Sequence, residues 1–222
     1  MRTLYLIRHT TPDIAPGICY GQLDIGVSAG FGEEAVNVLN WLPSLDLIIT
    51  SPLLRTRKLA EFLAQAHRCE ARCEARLMEK HFGAWEGRAW DNIERGEIDA
   101  WAANIIGHTP SGGESAQQLM QRVEDFLLDL AQLPQQSIAL IAHAGPIRAI
   151  LAQFADVPLT NTLNWQIDYG AVVTVRLCVK PPKVRRPKLS ELLASTPDAA
   201  LSRTANWEDM PPVGRELSVS RI

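Results

Sequence analysis

Three short apolar runs in this chain each end abruptly in polar residues suited to binding an anion. Residues 3–7 (TLYLI) run into Arg8-His9, residues 45–50 (LDLIIT) into Ser51-Pro52 and then Arg55, and residues 137–142 (SIALIA) into His143. Runs of this length and character read as buried strands. Between them the apolar spacing turns helical. It falls at 35, 36, 38, 39 and 42 before Pro43, and at 59, 62, 63 and 66 after Ser51-Pro52. It resumes at 119, 123, 126, 127 and 130. Ser51 with Pro52 suggests an N-cap followed by a first helical position, and Ser115 with Gln118 a capping box. A helix over about 146–154, an edge-like strand at 73–77 and an alternating last strand at 171–179 complete the pattern.

Alternating strands and helices predict a three-layer α/β/α sandwich with a mostly parallel sheet. Ligands of such sheets lie beyond the carboxyl ends of the strands. If the three strands are neighbours, Arg8, Arg55, His9 and His143 converge on one cleft. The pattern covers 1–179. From Lys180 the chain becomes polar and Pro-rich (KPPKVRRPK), with at most a short helix around Leu189, Leu192 and Leu193. The expected division is therefore a domain at 1–179 and a C-terminal appendage at 180–222.

A net charge of −3 offers no general attraction to nucleic acid or membrane, so an anionic substrate has to be drawn in by a local basic pocket. The most apolar later stretch, 137–155, carries His143, Pro146 and Arg148 and is not a membrane span. The apolar run behind Met1 is too short for a signal peptide. The four cysteines, Cys19, Cys69, Cys73 and Cys178, form no CxxC pair, and no metal-ligand spacing accompanies them. Reduced thiols, a cytoplasmic location and no metal or cofactor are expected; the oligomeric state is open, a homodimer included.

A phosphate monoester dianion suits such a cleft. Arginine's planar fork makes paired, charge-assisted bonds to phosphoryl oxygens. A neutral imidazole is a competent nucleophile toward phosphorus, and a nearby carboxylic acid supplies the proton that the leaving alkoxide needs.

LIRHT at 6–10, TSPLLRTRKLA at 50–60, LMEKHFGAWEG at 77–87, SGGES at 111–115 and IAHAGPIRAI at 141–150 together resemble the histidine phosphatase superfamily, the phosphoglycerate mutase-like fold. The resemblance spans 1 to about 179 and implies a metal-independent phosphomonoesterase acting through a phosphohistidine on a small phosphate monoester. It implies His9 as nucleophile, and Arg8, Arg55 and His143 as holders of the phosphoryl oxygens. Glu79 would be the general acid and then the base. Gly145 would lie where backbone approaches the phosphate. One departure is Thr10, where the family usually has Gly after the nucleophile, so the turn must accept a β-branched residue.

The first block, RHTTPDIAPGICYG, differs from the RHGES-x-WN type of the mutases and favours a phosphatase. APGICYGQLD at 15–24 with FGAWEGRAWDNIERGEIDAWA at 82–102 looks like the cobalamin-pathway branch that acts on α-ribazole 5′-phosphate, and Tyr20 would help bind its flat base. The alternatives are a broad-specificity sugar-phosphate phosphatase, a phosphoglycerate mutase-like enzyme, or a non-catalytic phosphate-binding protein. Trp85, Trp90 and Trp101 fit either a pocket wall or core. Glu86 reads as structural, and His81 and His108 as surface or loop residues.

Overall fold

The computed structural model describes residues 2–177; the expected appendage at 180–222 lies outside the described residues. The main elements are β1 (Arg2–Arg8), α1 (Phe31–Asn40), β2 (Leu47–Thr50), α2 (Leu54–His67), β3 (Glu70–Cys73), α3 (Arg95–Ala103), α4 (Ala116–Ala131), β4 (Ser137–Ala142), α5 (Ala144–Ala155) and β5 (Val172–Leu177). No helix among the described residues is long and apolar enough to cross a membrane.

The strand order is β3-β2-β4-β1-β5, parallel throughout except for β5, which pairs antiparallel with β1. The two-residue period of each strand sorts its side chains between the faces. Leu4, Leu6, Leu47, Ile49, Ile138 and Leu140 pack with Leu119, Val123, Phe126 and Ile150 of α4 and α5. Ile7, Ile48, Ala139 and Ile141 pack on the other face with Ala35, Val38, Leu59 and Leu63 of α1 and α2. This is the expected three-layer sandwich.

Register carries the fold to the site. Arg8 pairs with Ala142 and Thr50 with Ile141, so β1, β4 and β2 stop at nearly the same level. The next residues continue the ladder: His9 N donates to the Ala142 carbonyl at 3.1 Å and Ser51 N to that of Ile141 at 2.9 Å. The three strands that end in chemistry-bearing residues are thus adjacent, with β4 between the other two.

Three local expectations change. The edge strand lies at Glu70–Cys73, not 73–77, because the Glu74 carboxylate accepts the Arg76 N–H at 3.0 Å and bends the chain into a 3-10 turn at Ala75–Leu77. Ser51 is not the N-cap of α2, which begins at Leu54. The Leu54 N–H, one of the unpaired donors of the first turn, is taken instead by Asp24 Oδ1 at 2.6 Å, which frees the Ser51 hydroxyl for another partner. The 78–113 segment contains α3, which has no fully buried residue and so shows no apolar stripe. The Ser115–Gln118 capping box forms with both of its hydrogen bonds.

Candidate active site

The end of β1 presents His9, which is 1% exposed. Its Nδ1 lies 2.7 Å from the Thr10 carbonyl. A carbonyl only accepts, so Nδ1 carries the proton and the Nε2 lone pair is free. Burial and then the Arg55 charge hold His9 down at about 3, against an opposing pull from the Thr10 carbonyl that outweighs the further push from Arg8. The imidazole is neutral at any ordinary pH. Thr10 itself is fully buried and is not among the residues with positive φ, so its place in the turn needs no glycine.

His143 ends β4 and precedes α5. Its ring centroid is 5.0 Å from that of His9, and its Nε2 is 2.9 Å from Ser51 Oγ. That hydroxyl also accepts the N–H of Leu53, the residue before α2, at 3.4 Å. Complete burial, with His9, Arg55 and Arg8 nearby, pushes His143 well below the usual histidine range.

Both arginines are held by main-chain carbonyls. Arg55, in the first turn of α2 and 0% exposed, donates to Gly21 O at 2.7 Å and Leu23 O at 2.9 Å; Arg8 donates to Ile167 O at 2.6 Å. Among the described residues Arg8 Nε, Arg55 Nε and His143 Nδ1 are buried without a hydrogen-bond partner. Buried polar atoms left without partners are suited to taking hydrogen bonds from, or giving them to, a ligand. Tyr169 covers Arg8 at 3.9 Å, and its hydroxyl is 2.5 Å from that of Tyr20, whose ring is 5.4 Å from the Arg55 guanidinium.

Glu79 reaches the cleft from a loop. Its Oε2 accepts the Gly145 N–H at 3.2 Å and its Oε1 the Lys80 N–H at 2.9 Å. The close approach at Gly145 is therefore to Glu79: a Cβ there would overlap the Glu79 carboxylate. Glu86 accepts the N–H groups of Gln22, Leu23 and Phe82, which ties two loops together as a structural residue does.

A cavity of about 480 Å³ opens beside these groups; Arg8, His9, Tyr20, Glu79 and Gly145 reach it. Its far wall holds Phe82, Trp90 and Trp101, the two indoles stacked at 6.0 Å and 19°. Trp85 is buried behind them with Cys19 and Ile93, and His108 stacks on it at 5.9 Å. Two cations that the sequence reading passed over also line the cavity, Lys80 and Arg148. Lys80 is 7% exposed, its Nζ is 5.1 Å from the Phe82 ring centre, and it makes no ion pair among the described residues. Arg148 donates through Nε and Nη2 to Trp165 O. Tyr169 was also missed. The one signal for Lys80 and Arg148 was their place inside the LMEKHFGAWEG and IAHAGPIRAI blocks.

The family model of the histidine phosphatase superfamily (branch 1) matches residues 4–188. The solved α-ribazole phosphatase of Shigella flexneri is similar with a TM-score of 0.73 at 26% identity, over 79% of this chain and 90% of that one. A mycobacterial glucosyl-3-phosphoglycerate phosphatase is similar with a TM-score of 0.69 at 26% identity, over 78% and 89%. A protein of Salmonella arizonae named "Probable phosphoglycerate mutase GpmB" is 34% identical over 152 residues, 65% of this chain and 70% of its own length.

Proposed function

This chain belongs to the histidine phosphatase superfamily and is a phosphoric monoester hydrolase, and from that premise we propose that it works through a phosphohistidine on His9. The observation that carries this reading is the 2.7 Å bond between His9 Nδ1 and the Thr10 carbonyl, which leaves Nε2 as the nucleophile. Nε2 attacks phosphorus and the P–O ester bond breaks. Arg8, Arg55 and His143 hold the three non-bridging oxygens as charge moves onto them. Glu79 gives its proton to the departing oxygen, then takes one from the water that cleaves the N–P bond, and inorganic phosphate leaves.

The leaving group occupies the aromatic-walled cavity. Trp90 and Trp101 fit a flat ring, and on that ground we propose α-ribazole 5′-phosphate as substrate, in a cytoplasmic step of cobalamin biosynthesis. The unpaired cysteines Cys19, Cys69 and Cys73 suit a reducing compartment. A second reading, a sugar or glycerate phosphate, is favoured by the Lys80 ammonium in the same wall, since a nearly buried cation calls for an acceptor.

The test is a screen of phosphorylated metabolites that includes α-ribazole 5′-phosphate and glycerate phosphates, run with and without chelator, beside rapid-quench labelling. An acid-labile, base-stable phosphoenzyme and turnover in chelator are expected. Turnover without any labelled intermediate would sink the phosphohistidine. A preference for glycerate phosphates over α-ribazole 5′-phosphate would select the second reading of the substrate.

A further inference from the structure

Glu79 lies in a stretch whose only regular piece is one 3-10 turn at Ala75–Leu77, so something outside the stretch has to fix it. Arg122 of α4 does so, sharing the Glu79 carbonyl with Gln22, whose Nε2 also donates to it at 3.1 Å. Its Nη1 donates to the Arg76 carbonyl at 2.6 Å and its Nη2 to the carbonyl of Glu79 itself at 3.1 Å. Nε and Nη2 also grip the Glu114 carboxylate, at 3.1 and 2.6 Å. Glu114 in turn accepts the His81 N–H at 3.0 Å. Residues 76, 79 and 81 thus hang from one ion pair. Glu114 directly precedes the capping-box serine, so the pair is anchored at the N-terminal end of a four-turn helix.

The side chain of Glu79 is fixed from the other side by the Gly145 N–H at the start of α5. Main chain and carboxylate are therefore located by two different helices. An exposed ion pair contributes little to stability, but Arg122 and Glu114 side chains are only 19% and 16% exposed, and most of their bonds go to the loop's backbone.

We propose that Arg122 and Glu114 are positioning residues for proton transfer: they set where the Glu79 carboxyl stands relative to the leaving oxygen. This rests on the reading of Glu79 as the general acid. A donor displaced by about 1 Å loses roughly 10²-fold in rate, so loosening the brace harms the step that needs the proton. An alkyl alcohol needs that proton, whereas a nitrophenolate leaves without it.

The experiment measures single-turnover phosphoenzyme formation by the full chain, with an alkyl phosphate and with 4-nitrophenyl phosphate. The variants are Arg122→Met and Glu114→Gln, with Glu79→Gln as reference. Both brace variants are expected to slow the alkyl substrate by about 10–100-fold and the nitrophenyl substrate by less than about threefold. Glu114→Gln keeps an acceptor for His81 N–H and serves if Arg122→Met fails to fold. Equal slowing of both substrates by the brace variants, with Glu79→Gln selective, overturns the brace and leaves the acid standing. Equal slowing by Glu79→Gln removes the acid assignment and the brace together.

Discussion

On the proposed phosphate side of the cleft, His9, Arg55 and His143 are at most 1% exposed and stand at or just beyond the level ends of three adjacent strands. On the proposed leaving-group side, Lys80, Trp90 and Trp101 come from the 78–113 segment, while Arg148 and Leu119 stand on α5 and α4, which pack against the sheet. The first region is fixed by ladder register, which leaves little freedom to change one residue alone. The second is fixed by aromatic packing and loop ties, which tolerate replacement. Chemistry is therefore expected to be sensitive to substitution on the phosphate side, and substrate choice on the other.

The largest effect should come from His9→Gln, which removes the proposed nucleophile while keeping a buried polar side chain. Turnover and phosphoenzyme labelling are expected to fall to background with the fold intact. The same variant tests the buried imidazole through pH. His9 falls from 6.5 to about 3 on folding, so between those values the unfolded chain binds the extra proton. Stability from this group is full above the unfolded value near 6.5 and is lost as pH falls below it. The melting temperature of the wild type minus that of His9→Gln should shrink steadily from pH 7 to pH 4. A constant difference would mean that His9 is not held neutral.

Next in size is Arg55→Met. It removes one charged donor from the proposed phosphoryl site and strips the Gly21 and Leu23 carbonyls of their partner. A loss of roughly 10²–10³ in kcat is expected, the usual cost of a transition-state donor. If steady-state kinetics show KM rising with kcat unchanged, Arg55 binds the ground state and the transition state equally and the proposed role is wrong.

The places of these two residues at strand ends were legible because such an end leaves a mark, an apolar run that stops at polar residues: Arg8-His9 after β1, Ser51-Pro52 and then Arg55 after β2. The same mark, with the capping box at Ser115, located β1, β2, β4 and α4 closely. Other parts gave no such mark. The edge strand β3 is exposed at all four positions, so it has no alternation to read. The helix α3 has no fully buried residue, only the partly buried Ile98 and Trp101, too few to make a stripe. Asp24 caps α2 from 30 residues away, a contact that local sequence cannot show, and so Ser51 looked like the cap. Arg122 and Lys80 matter through loops folded back on them, and no period encodes that.

Lys80→Met probes the leaving-group side. The methionine keeps the stem against Phe82 and Trp101 and removes the ammonium. A hydrogen bond to a charged group is worth about 1.5–3 kcal/mol, so kcat/KM for a substrate that places an acceptor there should fall about 10–100-fold. Hydrolysis of 4-nitrophenyl phosphate, which offers no such acceptor, should stay within about twofold, consistent with a role in choice and not in chemistry. A similar fall for both substrates would put Lys80 on the chemical side of the cleft and break the division.

The smallest expected effect is that of Trp101→Leu. Trp101 stacks on Trp90 and meets the buried Trp85 edge-on at 5.9 Å, so it belongs both to the cavity wall and to the small cluster behind it. Leucine keeps apolar contact but loses the flat face. An aromatic pair adds about 0.5–1.5 kcal/mol beyond its buried area, or roughly two- to tenfold in binding. For a substrate with a flat ring, that loss should appear in KM, with kcat for the chemical step unchanged. For a glycerate phosphate the loss should be absent, because such a leaving group has no ring to stack. Measuring Lys80→Met and Trp101→Leu on both substrate types therefore separates the two readings of the cavity. A flat substrate should respond to Trp101→Leu, an acid-bearing one to Lys80→Met. A drop in kcat with Trp101→Leu on every substrate would show that the wall supports the Glu79 loop, and the two sides of the cleft would then not be independent.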